Sequence, residues 1–146
     1  MYRLLEITFA NDKESQAIYS YDSKDALEGN YESKLGQAML NSADELLIGL
    51  NNVGVVLFRG KVGEHVFLPR LYEAKTAPNK DTGVIEEVVD LAKYDDENTA
   101  HARFHTKKGA AINSGTCRQE VLYGFDGNGN QLDYCHWMPE PTIPQE

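Results

Sequence analysis

A chain of 146 residues with 41% hydrophobic and 25% charged residues has the composition of one soluble globular domain, not of a disordered, collagenous or membrane-embedded chain. Lysine and arginine total 14 against 23 acidic residues, a formal net charge of −9 that disfavours non-specific binding to nucleic acid or to an anionic membrane. No apolar run approaches the roughly 20 residues that cross a bilayer. Arg3 and Glu6 interrupt Met1 to Ala10 too soon for a signal-peptide core, so a reducing cytoplasm is the expected compartment.

Tyr2 to Phe9 and Ser15 to Tyr21 read as two strands joined by a turn at Asn11-Asp12-Lys13. Leu27, Tyr31, Leu35, Ala38 and Met39 then recur at helical spacing, with Asp22 at the N-cap position. Leu46 to Leu50 and Val55 to Phe58 flank a turn and predict a hairpin. From 63 the pattern weakens: Glu64 to Tyr72 predicts an irregular strand interrupted by Pro69, and Lys75 to Thr82 has the composition of a linker. Val84 to Lys93 predicts a strand. A second helix follows, with Asp95 at its N-cap and Ala100, Phe104, Ala111 and Ile112 as its apolar positions. Val121 to Phe125 and Gln131 to Trp137 form a second hairpin, and the tail from Met138, with Pro139, Pro141 and Pro144, reads as extended.

The second half repeats the first. Residues 21–39 match 94–112 at an offset of 73 with five of 19 positions identical, and 45–54 match 120–129 at an offset of 75 with four of ten identical. The expected fold is therefore α+β: two tandem, pseudo-symmetric β-(β)-α-β-hairpin repeats, with antiparallel sheet and helices on one face. The boundaries are 1–62 for a ββαββ repeat, 63–82 for a linker or irregular strand, 83–137 for a βαββ repeat, and 138–146 for the tail. Gly36 recurs as Gly109 in the helix and Gly49 as Gly124 in a strand. Each costs about 0.5–1 kcal/mol relative to alanine, which predicts close helix-to-sheet approach at these positions.

The repeat also weighs the chemical motifs. Asp126-Gly127-Asn128-Gly129-Asn130 opens like a calcium loop, but Gln131 and Trp137 stand where glycine and a bidentate glutamate belong, and the equivalent Asn51-Asn52-Val53-Gly54 has no carboxylate; a hairpin turn is expected. His101 and His105 share a helix face at a spacing that can begin a zinc site, with Cys117, Cys135 and His136 as further ligand candidates. Their equivalents are Glu28 and Glu32, so solvated or partner-facing histidines are expected, with no metal and no cofactor. Ser33 and Thr106 recur beside Lys34 and Lys107, an ordinary helix-face combination. Neither a nucleophile elbow, a phosphate loop nor a dinucleotide fingerprint is present. Cys117 and Cys135 are expected reduced, since counting back through the hairpin sets Cys135 opposite Glu120 or Val121, not opposite Cys117.

Tyr2-Arg3-Leu4-Leu5-Glu6-Ile7-Thr8-Phe9-Ala10-Asn11-Asp12, Tyr19-Ser20-Tyr21-Asp22 and Asn30-Tyr31-Glu32-Ser33-Lys34-Leu35-Gly36-Gln37-Ala38-Met39 give the first 60 residues a pattern that resembles small uncharacterised proteins found among phage and prophage genes of Gram-positive bacteria. Those proteins are typically single-copy. The resemblance implies a phage setting alone and supplies no site residues to carry over, with the host cytoplasm as the expected location and virion association as the alternative.

The first expectation for function is a non-enzymatic protein-binding or assembly module, forming a homo-oligomer or docking on a protein partner. The basic second helix would complement the acidic first helix of a neighbouring copy through Glu28, Glu32, His101, Arg103, His105 and Lys108. Direct binding to nucleic acid or membrane is not expected. An alternative is an inhibitor of a host defence protein, occupying its nucleic-acid or nucleotide-signal site with an acidic patch of Glu86, Glu87, Asp90, Asp95, Asp96 and Glu97. A further alternative is a small hydrolase or nucleotide-binding protein with a pocket between the repeats lined by Arg103, His105 and Tyr134.

Overall fold

The computed structural model describes residues 1–141, so Pro144 and the end of the tail lie outside the described residues. In chain order the elements are β1 (Tyr2–Ala10), β2 (Lys13–Tyr21), α1 (Lys24–Leu40), β3 (Asp44–Leu50) and β4 (Val56–Val62). They are followed by β5 (Arg70–Pro78), β6 (Ile85–Lys93), α2 (Glu97–Asn113), β7 (Gln119–Phe125) and β8 (Gln131–Trp137). Both halves are ββαββ, and each makes a four-stranded antiparallel sheet of the same order, β2-β1-β3-β4 and β6-β5-β7-β8.

Period-2 alternation gives each sheet two apolar faces. Leu5, Ile7, Leu46, Ile48 and Leu50 of the first sheet meet Tyr72, Ala74, Leu91, Val121, Tyr123 and Phe125 of the second in one shared core. On the opposite face of the first sheet, Leu4 and Leu47 pack with Leu27 and Tyr31 of α1. Leu71, Leu122 and Cys135 pack with Phe104 of α2 in the same way. The layers therefore run helix, sheet, sheet, helix. Burial of each such side chain favours folding by about 1.5–3 kcal/mol, which lets two helices of weak amphipathicity dock firmly.

The structure corrects the boundaries of the second repeat. Residues 70–78 are a full strand, β5, and not a linker: Arg70 to Thr76 pair with β7 while Arg70 to Pro78 pair with β6. Pro69 precedes this strand instead of interrupting it, a position where its missing N–H costs no ladder bond. Leu4 stands opposite Gly49 and Leu71 opposite Gly124, so β5 is the counterpart of β1. The offset was hidden because the β5–β6 hairpin is six residues longer than β1–β2, counted from the pairs Tyr72 with Leu91 and Leu5 with Ile18. In β1–β2 the turn is two residues, Asn11 and Asp12, with φ of 55° and 59°; these residue types tolerate that region best after glycine.

The N-caps lie one residue later than the spacing predicts. Ser23 accepts from Ala26 N at 3.1 Å and Asp96 Oδ1 accepts from Thr99 N at 2.7 Å. α1 reaches β3 through three residues and α2 reaches β7 through five, the two-residue insertion containing Gly115 at φ 74°. Of the recurrent glycines, Gly49 shows the expected close approach, since a Cβ there would lie 3.1 Å from Phe58 and 3.4 Å from Leu27. Gly49 and Gly124 both mark a register shift in their strand, a bulge retained in each repeat. Gly36 and Gly109 have nothing within 4 Å of such a Cβ, and nothing in the structure explains their recurrence.

Candidate functional site

The duplication places one polar cluster between helix and sheet in each repeat. In the first, Glu6 on β1 lies beside Glu45 at the start of β3, with Lys34 of α1 3.6 Å away and Tyr19 OH donating at 3.1 Å. Burial and the neighbouring Glu6 push the Glu45 carboxyl up to about 8. Burial acts to raise Glu6 as well, but the hydrogen bond from Glu45, the charge of Lys34 and Tyr19 outweigh it and hold Glu6 low. The second repeat reproduces the arrangement with Glu73, Glu120 and Lys107, the lysine 3.2 Å from Glu73. Glu120 is fully buried, and burial followed by Glu73 pushes it up to about 9.

In each repeat, burial and the neighbouring carboxylate thus favour the protonated form of the inner acid, Glu45 or Glu120. Beside the first cluster opens a cavity of about 290 Å³, lined also by Thr8, Gln37 and Asn41. Sequence reading missed both clusters. Their only trace was the recurrence of Lys34 with Lys107 and of Glu45 with Glu120, because Glu6 and Glu73 become equivalent only when β5 is aligned on β1.

The sequence-predicted residues scatter. Glu28 and Glu32 are exposed on α1, His101, Arg103 and His105 are exposed on α2, and Lys108 is half-buried there, on the opposite outer layer. The acidic patch is divided: Glu87 pairs with Arg3 across the sheets, Glu86 accepts from Asn79 at 2.8 Å, and Asp96 caps α2, while Asp90, Asp95 and Glu97 are exposed. The pocket expected from Arg103, His105 and Tyr134 does not form. Tyr134 lies on the inner face of the second sheet, donating to Val53 O at 2.6 Å, whereas the other two stand on the helix outside that sheet.

Asp126 is spent on its own turn, its Oδ1 accepting from Asn128 N and Asn130 N at 2.9 Å each, as Asn51 Oδ1 does from Val53 N and Val55 N at 3.0 Å. The histidines gain a partner that the sequence did not offer. His101 Nδ1 lies 2.8 Å from Asp133 Oδ1, and His105 packs edge-on to His101. Cys117 and Cys135 are buried instead, and His136 points to the other face of β8.

Cys135 stands opposite Leu122, one residue from the expected position, and both thiols are free. Burial pushes both thiols up, the reverse of what activates a thiolate. A disulfide-exchange reagent should therefore react slowly with the native chain and titrate two thiols in denaturant; fewer than two would show a bond or modification.

β6 differs from its counterpart β2. Tyr19 of β2 fills the angle between strand and α1, with Lys34 4.3 Å over its ring. Its structural equivalent is Ala92, opposite Leu71 as Tyr19 is opposite Leu4. α2 lies over β7, β8 and β5, so the outer face of β6, with Glu86, Val88 and Asp90, is left open. Val84, Ile85 and Val88 are 62%, 48% and 58% exposed at this edge. A groove of about 300 Å³ crosses it at Ala77, Pro78, Glu86 and Val88.

Comparison with protein-family models, curated proteins and solved structures finds no match. Among the described residues no helix is long and apolar enough to cross a membrane.

Proposed function

We propose that this chain, of phage or prophage origin, is a non-enzymatic protein-binding module whose β6 edge accepts an extended basic segment of a partner as an added strand. The observation that carries this reading is the edge itself: a nine-residue strand, uncovered on its outer face, with the exposed Val88 between Glu86 and Asp90. An edge strand offers unpaired N–H and C=O groups to any segment able to align with it. Alternate side chains then choose the partner. A second copy pairing antiparallel about Val88 would set Glu86 against Asp90, and like charges directly opposite are destabilising. A basic residue in those positions meets both acids, and an apolar residue between them packs beside the exposed Val88.

Titration of the isotopically labelled chain with a peptide of alternating lysine and valine is expected to shift the amide resonances of Ile85 to Lys93, with little change in β2. A peptide of alternating glutamate and valine should leave them in place. The double variant E86K/D90K should weaken the first peptide by roughly 10-fold, about 1.4 kcal/mol, and salt should do the same because exposed charges are screened beyond about 8–10 Å. Equal binding of both peptides, shifts centred away from β6, or self-association through β6 would overturn the reading.

A further inference from the structure

Independently of the β6 edge, we infer that His101, His105 and Asp133 form a binding site for one divalent transition-metal ion that favours imidazole ligands, of which Zn²⁺ is the natural probe. Their ligand atoms all lie within 4.8 Å of one another. Two rigid elements hold them: the histidines stand one turn apart on α2, and Asp133 rises from β8 directly opposite Gly124, where no side chain intervenes. Asp133 is the fixed member, with its side chain only 11% exposed and its two oxygens 2.8 and 2.9 Å from His101 Nδ1. The two imidazoles meet edge to face with centroids 4.7 Å apart.

Bonds of about 2.0–2.2 Å to nitrogen and oxygen bring tetrahedral ligand atoms to roughly 3.3 Å from one another. Drawing the ligand atoms together from the present spacing falls to the two exposed rings, since Asp133 is held on β8. Two imidazoles and one carboxylate suit Zn²⁺, Co²⁺, Ni²⁺ or Cu²⁺, whereas Ca²⁺ and Mg²⁺ prefer oxygen sets. Three protein ligands leave one position for water or for a donor from another molecule. The first repeat provides the internal control. Its equivalents are Glu28, Glu32 and Phe58, the last opposite Gly49 and packed on Tyr31, so only one site per chain is expected.

Calorimetric titration of the chelator-treated full chain with Zn²⁺ is expected to show one saturable equivalent. Replacement of His105 by Ala, or of Asp133 by Asn, should weaken it at least as much as the roughly 10–100-fold that loss of an outer-shell partner costs a metal site. Both histidines are exposed, so H101A/H105A should stay folded while losing the site. The double variant C117S/C135S should bind as the parent does, and the Co²⁺ form should lack thiolate-to-metal charge transfer. Absence of saturable binding, an unchanged equivalent in H101A/H105A, or a thiolate band in the Co²⁺ form would overturn the site and leave His101 and Asp133 as a surface ion pair.

Discussion

Glu14→Ala is expected to destabilise the chain by about 3–5 kcal/mol, the cost of leaving a buried charge without its partner. Arg70 is 1% exposed and its guanidinium sits 2.9 Å from Glu14 across the two sheets. Its Nε donates to Gln16 at 2.9 Å, the Nη1 that meets Glu14 also donates to Leu68 O at 2.8 Å, and it cannot shed its proton. Glu14 also accepts from Leu68 N at 3.2 Å and meets His65 Nε2 at 2.8 Å, so its loss takes a partner from three groups together and leaves Arg70 without a counter-charge. At about 2–4 °C per kcal/mol for a chain of this size, the thermal midpoint should fall by about 6–20 °C. The apolar pair E14L/R70M should recover most of the loss, because no buried charge remains to be compensated. A fall under about 2 °C for Glu14→Ala would show that water reaches Arg70 freely.

The same contact recurs with the repeats exchanged. Arg3, opposite Leu50, corresponds to Arg70, opposite Phe125, and Glu87 corresponds to Glu14; Arg3 pairs with Glu87 as Arg70 pairs with Glu14. At the other side of the sheets Arg59 of β4 reaches Asn130 at 2.8 Å while its counterpart Tyr134 of β8 reaches Val53 at 2.6 Å. Residue i meeting j while j meets i is the signature of an isologous two-fold interface. Here one chain contains both partners, joined through residues 63–69. The face that would dimerise a single repeat is thereby filled internally, which leaves helices and strand edges as the surface available to others. Glu87 is 32% exposed on its side chain, so the pair on that side is better hydrated and Glu87→Ala should cost less than Glu14→Ala.

The repeat, both helices and both hairpins were legible in the residues because apolar periodicity is local and had two copies to reinforce it. β5 was not. Its partners are β6 and β7, and the longer hairpin displaced it from the register shared by the other elements. The packing of sheet on sheet was equally hidden, since Leu5 and Tyr72 carry no mark of which apolar face meets a helix and which meets a second sheet. Arg70 read as an ordinary charged residue, and only the fold makes it the largest fully buried side chain. His101 and His105 were legible as a pair by helical spacing, but Asp133 is 28 residues beyond His105 and joins them only through the docking of α2 on β8. The six acids of the patch were legible as charge and illegible as geometry, because strand alternation sends Glu87 inward and its neighbours Glu86 and Val88 outward.

Stability should fall as pH rises from mildly acid to alkaline, and Glu120→Gln should remove about half of that slope up to pH 8 and most of it above. Glu120 is raised in the native chain from an ordinary value near 4.5 to about 9, and Glu45 to about 8. Between the two values the native state holds a proton that the unfolded chain has released. Each such group therefore contributes stability that is complete below about pH 4.5 and is lost as pH climbs to the native value, at up to about 1.4 kcal/mol per pH unit. Glu6 and Glu14 act in the opposite sense. Both are held low by their partners against the effect of burial, and their contributions disappear on acidification. The optimum should accordingly lie on the acid side of neutrality. A neutral amide at 120 mimics the protonated carboxyl and can donate to Glu73 at every pH, so the Gln variant should match the parent near pH 5. From pH 7 to 9 it should gain on the parent by about 2–3 kcal/mol, or about 4–12 °C. Glu45→Gln should flatten the curve less, and only to about pH 8. Since the two acids of each pair titrate as a unit, the midpoints read from such curves belong to the pair and not to one residue. Thermal denaturation of the parent and the two variants across pH 5–9 decides the matter: an unsloped parent, or a Glu120→Gln variant that keeps the whole slope, would mean that Glu120 does not hold its proton beneath α2.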